Sequence, residues 1–428
     1  MQYQDFLVEH LGENKISSPI KRVNFVDNDA RVTYPSDVNE LKSFIENSQP
    51  IPSFEAAGPR EKIFHDPSWS KAAILTAGGL CPGLNNVIKA LTHTLTRQYG
   101  VPVVYGIKYG YRGLIPEFRL EPVILADETV DDIHESGGSI LSSSRGRQDE
   151  EEMVDTLVRM NINLLFCIGG DGTLRCAHDV AKVIKKRNLS ISVVGIPKTI
   201  DNDICFIDKS FGFETAVYAA NSVITAAHNE AQGAYNGIGL IKVMGRDSGF
   251  IAAYATLANS HVNYCLVPEK DIILDGNGPD ALLPQLEARL KEKHHAVIIV
   301  AEGAGQELFT QNNKRRDASG NILHDDIGIL LKDKISEYFA QRELEVNIKY
   351  FDPSYMIRSV CANGTDAVFC SVLAQNAVHA AMAGATDIVI GHWHERFTHV
   401  PIALATLQRK KIDLKSPLWT SVRSTTCF

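Results

Sequence analysis

Short apolar runs, each ending near Gly or Pro, recur along most of the chain: 72–77, 101–107, 164–168, 191–196, 238–243, 296–301 and 387–390. Runs of this kind, with no polar alternation, are what strands covered on both faces look like. Between many of them the apolar spacing changes to that of a helix. Leu84, Ile88, Leu91 and Leu95 form one such stripe, and Phe213, Val217, Ala220 and Ile224 form another. Buried strands alternating with amphipathic helices predict parallel α/β sheets, in which ligands bind beyond the carboxyl ends of the strands. Residues 1–70 lack this regularity and carry turn-forming clusters at 17–19, 34–36 and 49–52. They read as an N-terminal extension that packs against the rest, not as a catalytic domain. Residues 276–279 and 311–320 read as surface loops.

A length of 428 residues allows two or three domains with proper cores. The composition, 44% hydrophobic and 22% charged, is ordinary for a soluble globular protein. A net charge of −8 argues against nucleic acid or an anionic membrane as the main partner. The eight cysteines are scattered, form no C-x-x-C pair and in several cases sit inside apolar runs. They read as buried thiols of a reducing compartment, not as disulfides or a zinc site. The first residues show no basic-then-apolar leader, and no stretch reaches the ~18 apolar residues a span requires. A cytoplasmic protein with no membrane partner is expected.

Chemistry gathers where the apolar runs end. The run at 72–77 leads into Gly78, Gly79 and Gly83, then into a helix pattern. A glycine turn opening a helix presents backbone N–H groups to a phosphate, although tight βα turns also need glycine for their dihedrals. It matches neither a Walker A loop nor G-x-G-x-x-G. Gly169, Gly170, Asp171, Gly172 and Thr173 follow the next run. Their glycines admit a ligand, and the Asp171 carboxylate suits Mg²⁺; a helix cap is the plainer alternative. Pro197, Lys198, Thr199, Ile200, Asp201, Asn202 and Asp203 follow a third. Two carboxylates beside a lysine supply a candidate general base. Met244, Gly245 and Arg246 offer a guanidinium for phosphate, and Glu302 can accept hydrogen bonds from sugar hydroxyls. Lys349, Tyr355 and Arg358 form a basic and phenolic group, while Tyr111, Arg145 and Gly146 lie in two further glycine-bearing turns. His392, His394 and His399 have the look of a metal cluster but no partner motif, so a satisfied histidine set is the expectation.

Taken together, the glycine turn at 78–83, GGDGT at 169–173, PKTIDND at 197–203, MGR at 244–246, Glu302 and the 355–358 segment resemble the 6-phosphofructokinase family from about Lys71 onward. The resemblance implies two doubly wound α/β lobes with the active site in the cleft between them. It divides the chain into an extension (1–70), a nucleotide lobe (71–212 plus 362–405) and a sugar-phosphate lobe (213–361 plus 406–428). It implies phosphoryl transfer to the 1-hydroxyl of fructose 6-phosphate, with Asp201 as general base, Thr199 beside it and Asp171 linked to Mg²⁺. On the nucleotide side fall Gly78, Gly79, Tyr111, Arg145, Gly146, Gly170, Asp171, Gly172 and Thr173. On the sugar side fall Thr199, Ile200, Asp201, Met244, Gly245, Arg246, Glu302, Lys349, Tyr355 and Arg358. Donor choice turns on two positions. Pyrophosphate users carry a second Asp where this chain has Gly172, and a Lys where it has Lys198. Glycine removes the side chain that blocks the α-phosphate, so ATP is the expected donor and pyrophosphate the alternative, as in the ATP-dependent subgroup of plants and trypanosomatids. A glycolytic, allosteric homo-oligomer, dimer or tetramer, is implied. Bacterial relatives, however, carry His at Tyr355 and a subunit-donated Arg at Gly237, and their effector arginines align with Lys89 and His93, so their regulation does not carry over. A GGDGT loop also occurs in diacylglycerol- and NAD-kinase-like proteins, which lack the partner motifs. A catalytically silent regulatory subunit is opposed by the presence of Asp171, Asp201 and Arg246.

Overall fold

Leu164–Gly169 and Ser192–Pro197 are buried at every residue and pair in parallel from Leu164 with Ser192 to Gly169 with Pro197. Two strands covered on both faces make the middle of a sheet, which is why neither alternates polar with apolar. In the computed structural model, which describes residues 2–276, 278–309 and 323–427, Lys71–Thr76 joins them on one side and Ile388–Trp393 on the other, both parallel. Val103–Ile107 pairs in parallel beyond Lys71–Thr76. The chain therefore starts in the middle, adds one strand outward, and returns to build the other half. The reversal lies between Lys71–Thr76 and Leu164–Gly169, and ligand crevices open at the carboxyl ends of such a pair. The glycine turns at 78–79 and 169–173 leave from those ends. The surface loop expected at 311–320 lies outside the described residues.

Antiparallel strands finish both edges of this nine-stranded sheet. Val123–Ile124 closes one edge; Arg396–Pro401, Ser53–Ala56 and Arg31–Thr33 extend the other. The last two come from the first 70 residues, so the extension is part of the sheet. Phe6 and Phe54 are fully buried with ring centroids 4.9 Å apart, and Tyr34 stacks on Trp393 at 5.5 Å. The Glu55 carboxylate is clasped by His399 Nδ1 at 3.1 Å, His10 Nε2 at 3.0 Å and Arg60 Nη2 at 3.3 Å. Burial raises the Glu55 pKa, but the hydrogen bonds from His10 and His399 outweigh it and hold the carboxyl far below its usual range. His399 thus serves this clasp, and His392 packs edge-on against the rings of Phe369 and Phe397, which also touch each other.

Helices cover both faces. Asp171–Lys186 and Glu150–Arg159 bury Leu174, Ala177, Val180, Val154 and Leu157 against Leu75, Leu165, Cys167 and Val193. Gly364–Met382 packs on Ser192–Pro197, and Leu84–His93 packs on Gly364–Met382. Each large aliphatic side chain so buried contributes roughly 1.5–3 kcal/mol.

By its internal contacts the chain forms two compact units: Met1–Thr199, Ile204–Gly212 and Val360–Arg409 make the first, and Ile200–Asp203, Phe213–Ser359 and Lys410–Phe428 make the second. The second unit's sheet is wholly parallel, in the order Tyr264–Leu266, His295–Ala301, Gly237–Val243, Asn347–Phe351. Leu240, Ile298 and Val300 pack on Leu282, Leu286, Leu331 and Ile335 from its helices. Phe213–Gln232 lies so close to the sheet that a Cβ at Gly237 would stand 2.0 Å from the Ala231 carbonyl oxygen. A side chain at 237 would require this end of the helix to move. The helix buries Phe213, Ala216, Ala220, Ile224 and Ala227, leaving Val217 only partly covered, one position off the expected stripe. Among the described residues no helix is long and apolar enough to cross a membrane.

Candidate active site

Three strand ends of the first unit carry the residues expected on the donor side. After Lys71–Thr76 the chain turns through Gly78 at φ +88°, a left-handed conformation that favours glycine. Gly78 N–H donates to the Ser144 carbonyl at 3.1 Å and its own carbonyl accepts from Ser143 Oγ at 2.6 Å. This ties the turn to the serine-rich segment that carries Arg145, which is exposed, and Gly146 at φ +102°. Lys198, 6% exposed, donates from Nζ to the Gly79 carbonyl at 2.6 Å. The turn is therefore braced by an ammonium from the next strand end but one.

Gly170 and Asp171 open the helix Asp171–Lys186, whose first N–H groups carry the positive end of its dipole. The three glycines of this turn answer to different demands. A Cβ at Gly169 would come within 2.2 Å of Thr173 Oγ1, so packing requires glycine; at Gly170 it would meet the Lys198 carbonyl at 3.3 Å. At Gly172 it would meet nothing within 4 Å. Asp171 takes the Arg175 Nε–H at 3.1–3.2 Å, one helical turn on, and Arg175 Nη2 donates to the Thr406 carbonyl at 2.7 Å. Tyr111 is buried, its hydroxyl donating to the Thr173 carbonyl at 2.8 Å, and burial raises its pKa. Its hydroxyl therefore supports the start of the helix Asp171–Lys186.

The segment after Ser192–Pro197 passes from one unit to the other. Thr199, whose carbonyl accepts from Ser210 Oγ at 2.7 Å, belongs to the first unit; Ile200 and Asp201 belong to the second. Asp201 is partly exposed, and its carbonyl accepts from Ser248 Oγ at 3.2 Å. Asn202 takes φ +52° and is buried with Asp203, so the loop bends sharply just after the candidate base.

In the second unit, Gly237–Val243 and His295–Ala301 end side by side, Val243 level with Ala301. Met244 and Gly245 follow the first of these, and Glu302 follows the second. Glu302 Oε1 accepts the Arg246 backbone N–H at 3.1 Å. A Cβ at Gly303 would stand 1.6 Å from the Arg246 carbonyl oxygen, so glycine lets the two turns touch. Tyr355 is 73% exposed with the Arg358 guanidinium 4.7 Å from its ring centre. Lys349 is placed differently. It lies within Asn347–Phe351, level with Gly239, four residues or about 13 Å short of the Val243 level.

Several supporting groups had no signal in a motif. Arg175 stood at helical i,i+4 spacing from Asp171 and was legible that way. Glu269 accepts the backbone N–H groups of both Gly249 and Ile412 and joins distant segments. Lys242 pairs with Asp326 and Asp352, 84 and 110 residues away in sequence, a contact spacing cannot show.

Residues 71–381 match the family model for phosphofructokinase. The chain is 48% identical, over 99% of its length and 96% of the other, to a protein of Borreliella burgdorferi named ATP-dependent 6-phosphofructokinase. It is 45% identical to one of the same name from Amycolatopsis methanolica, over 100% and 95% of the two chains. Among solved structures, a pyrophosphate-dependent phosphofructokinase of Marinobacter aquaeolei superposes with a TM-score of 0.66 at 19% identity, covering 83% of this chain and 91% of that one. Phosphofructokinase of Saccharomyces cerevisiae gives 0.64 at 21%, covering 84% and 47%. The structures share the fold, the sequences share much more, and the chain belongs to the phosphofructokinase family.

Proposed function

We propose that this protein transfers the γ-phosphoryl group of ATP to the 1-hydroxyl of fructose 6-phosphate, giving fructose 1,6-bisphosphate and ADP in glycolysis. The observation that carries the donor assignment is Gly172. Neither its backbone, which is helical, nor its neighbours require glycine there, since a Cβ would meet nothing within 4 Å. A glycine that folding does not need, at the mouth of a helix start, leaves room for a nucleotide. Lys198, the feature shared with pyrophosphate users, has a structural duty here as the brace on Gly79. Curated relatives named for ATP, at 45–48% identity over nearly the whole chain, support the same donor.

The Asp171 carboxylate, an oxygen ligand at the helix start, fits a magnesium ion shared with the donor phosphates, and such an ion supplies charge neutralisation when bound. Gly79, Gly170 and Thr173 present backbone and hydroxyl donors to those phosphates, Gly78 shapes the turn through its bond to Ser144, and Arg145 and Gly146 lie beside them. Asp201 accepts the proton of the sugar 1-hydroxyl, and Thr199 contacts the transferring group. Arg246 and Arg358 hold the 6-phosphate, Tyr355 adds its phenol, and Glu302 takes sugar hydroxyls, so binding at a remote group orients the reacting one. Lys349 joins the sugar-phosphate set by the family resemblance, although it lies within its strand at the level of Gly239, and the protein acts as a homo-oligomer, dimer or tetramer. Allosteric control and a cytoplasmic location complete the proposal.

Turnover with Mg-ATP and with Mg-pyrophosphate, on the parent and on Gly172→Asp, tests it. The parent should prefer ATP and lose that preference on substitution. Equal or faster turnover of the parent with pyrophosphate refutes the donor assignment.

A further inference from the structure

Lys242 lies on Gly237–Val243, the strand that leads into Met244–Arg246, with its side chain only 12% exposed. Its ammonium stands 2.7 Å from Asp326 Oδ2 and 3.0 Å from Asp352 Oδ2. Asp326 caps the helix Ile327–Ala340 through the Ile329 N–H and also takes the Tyr350 hydroxyl at 3.2 Å. Asp352 ends the neighbouring strand and starts the turn that carries Tyr355 and Arg358. Its other oxygen, Oδ1, accepts the Ser354 N–H at 3.2 Å and the Ser354 hydroxyl. Met356 and Ile357 N–H groups close the turn on the Pro353 carbonyl at 2.8 and 3.1 Å.

Pro353, Ser354 and the 1%-exposed Ile357 bury one side of this turn, but its other flank borders open space. Phe351, Asp352, Pro353 and Met356 face Ser222 and Ala226 of Phe213–Gln232 across an open cleft of about 310 Å³. Packing, the usual means of fixing a loop, is interrupted there. A charge-assisted bond from a central strand is a stiff substitute, because the strand itself is paired on both sides. Burial alone lowers the pKa of the Lys242 ammonium, yet hydrogen bonds to Asp326 and Asp352 reverse this and raise it above the ordinary lysine value, so the tether stays charged.

We infer that Lys242 is a positioning residue: through Asp352 it fixes the 353–358 turn, and so sets where Tyr355 and Arg358 meet the sugar phosphate. The inference rests on the assignment of that turn to the acceptor. Lys242 touches no substrate, so its loss should weaken acceptor binding and leave the chemical step nearly intact.

The test is steady-state kinetics with fructose 6-phosphate varied at saturating Mg-ATP. Lys242→Met should raise KM for the sugar about tenfold while kcat changes less than about threefold and KM for ATP stays put. Lys242→Arg, keeping charge and donors, should restore most of the loss. Asp352→Asn severs the same tether from the other side and should reproduce the shift, which covers the case of a Lys242→Met protein that does not fold. Arg358→Ala is the reference arm. If it raises KM while Lys242→Met and Asp352→Asn match the parent, the inference is overturned alone. If Arg358→Ala leaves KM unchanged, the acceptor assignment of the turn falls and takes the inference with it.

Discussion

In the first unit the turns at 78–79 and 169–173 are fixed by backbone and close packing. Thr173 occupies the space a Cβ at Gly169 would need, the Gly79 carbonyl takes the Lys198 ammonium, and the helix start rests on Tyr111. In the second unit the 352–358 turn borders an open cleft and is moored by ion pairs and side-chain hydrogen bonds. The difference suits what each side is proposed to handle. A nucleotide's phosphates are best met by converging N–H groups, which glycine exposes and packing holds still. A sugar phosphate is met by arginine and tyrosine side chains, and these need a mooring that charge can give.

The largest expected effect falls where the two sets join along the chain. Asp201→Asn removes the proposed proton acceptor and leaves both turns intact, so kcat should drop about 10²–10⁴-fold with sugar affinity little changed. A variant keeping most of its activity would strip Asp201 of that role. Gly172→Asp should act on the donor side alone, lowering kcat/KM for ATP roughly 100-fold by placing a carboxylate against the incoming phosphates, while KM for the sugar holds. A matched rise in the sugar KM would erase the separation drawn above. Gly169→Ala and Gly172→Ala should then differ in sign in thermal unfolding. The first overpacks Thr173 and costs about 1–3 kcal/mol; the second fills empty space in a helix and gains up to ~1 kcal/mol. Equal shifts would show that both glycines serve packing.

Acid gives the gentlest test. His65 and His379, in the first unit, are each lowered by burial to about 4 and sit beside Ser192 Oγ and Tyr99 OH. Unfolded, they titrate near 6.5, so between those values the unfolded chain binds protons the folded unit refuses. Their stability contribution is complete above pH ~6.5 and declines toward pH 4, by about 1.4 kcal/mol per pH unit for each histidine. Hydrogen exchange followed from pH 7 to 4.5 should show the first unit losing protection, less so in His65→Gln and His379→Gln. A pH-independent first unit would count against this.

Much of the site was legible because its chemistry is local. The strands at 71–76, 164–169, 192–197, 237–243 and 295–301 lie where apolar runs stop, and the motif residues leave from their ends. Parallel strands buried on both faces must be apolar throughout, and that leaves an unmistakable trace. The short strands at 31–33 and 53–56 left none, because edge strands of three or four residues take their stability from the sheet they join.

The sequence by itself determined the fold class, the family and the candidate acids, since these depend on runs and motifs a few residues long. Tertiary structure alone decided which glycines serve packing and which leave space, that Tyr111 is an internal support, that Glu55 binds the extension to His399, and that Lys242 moors the 352–358 turn. Each of these is a contact between residues far apart in the chain, where spacing carries no information and only distance in the folded protein does.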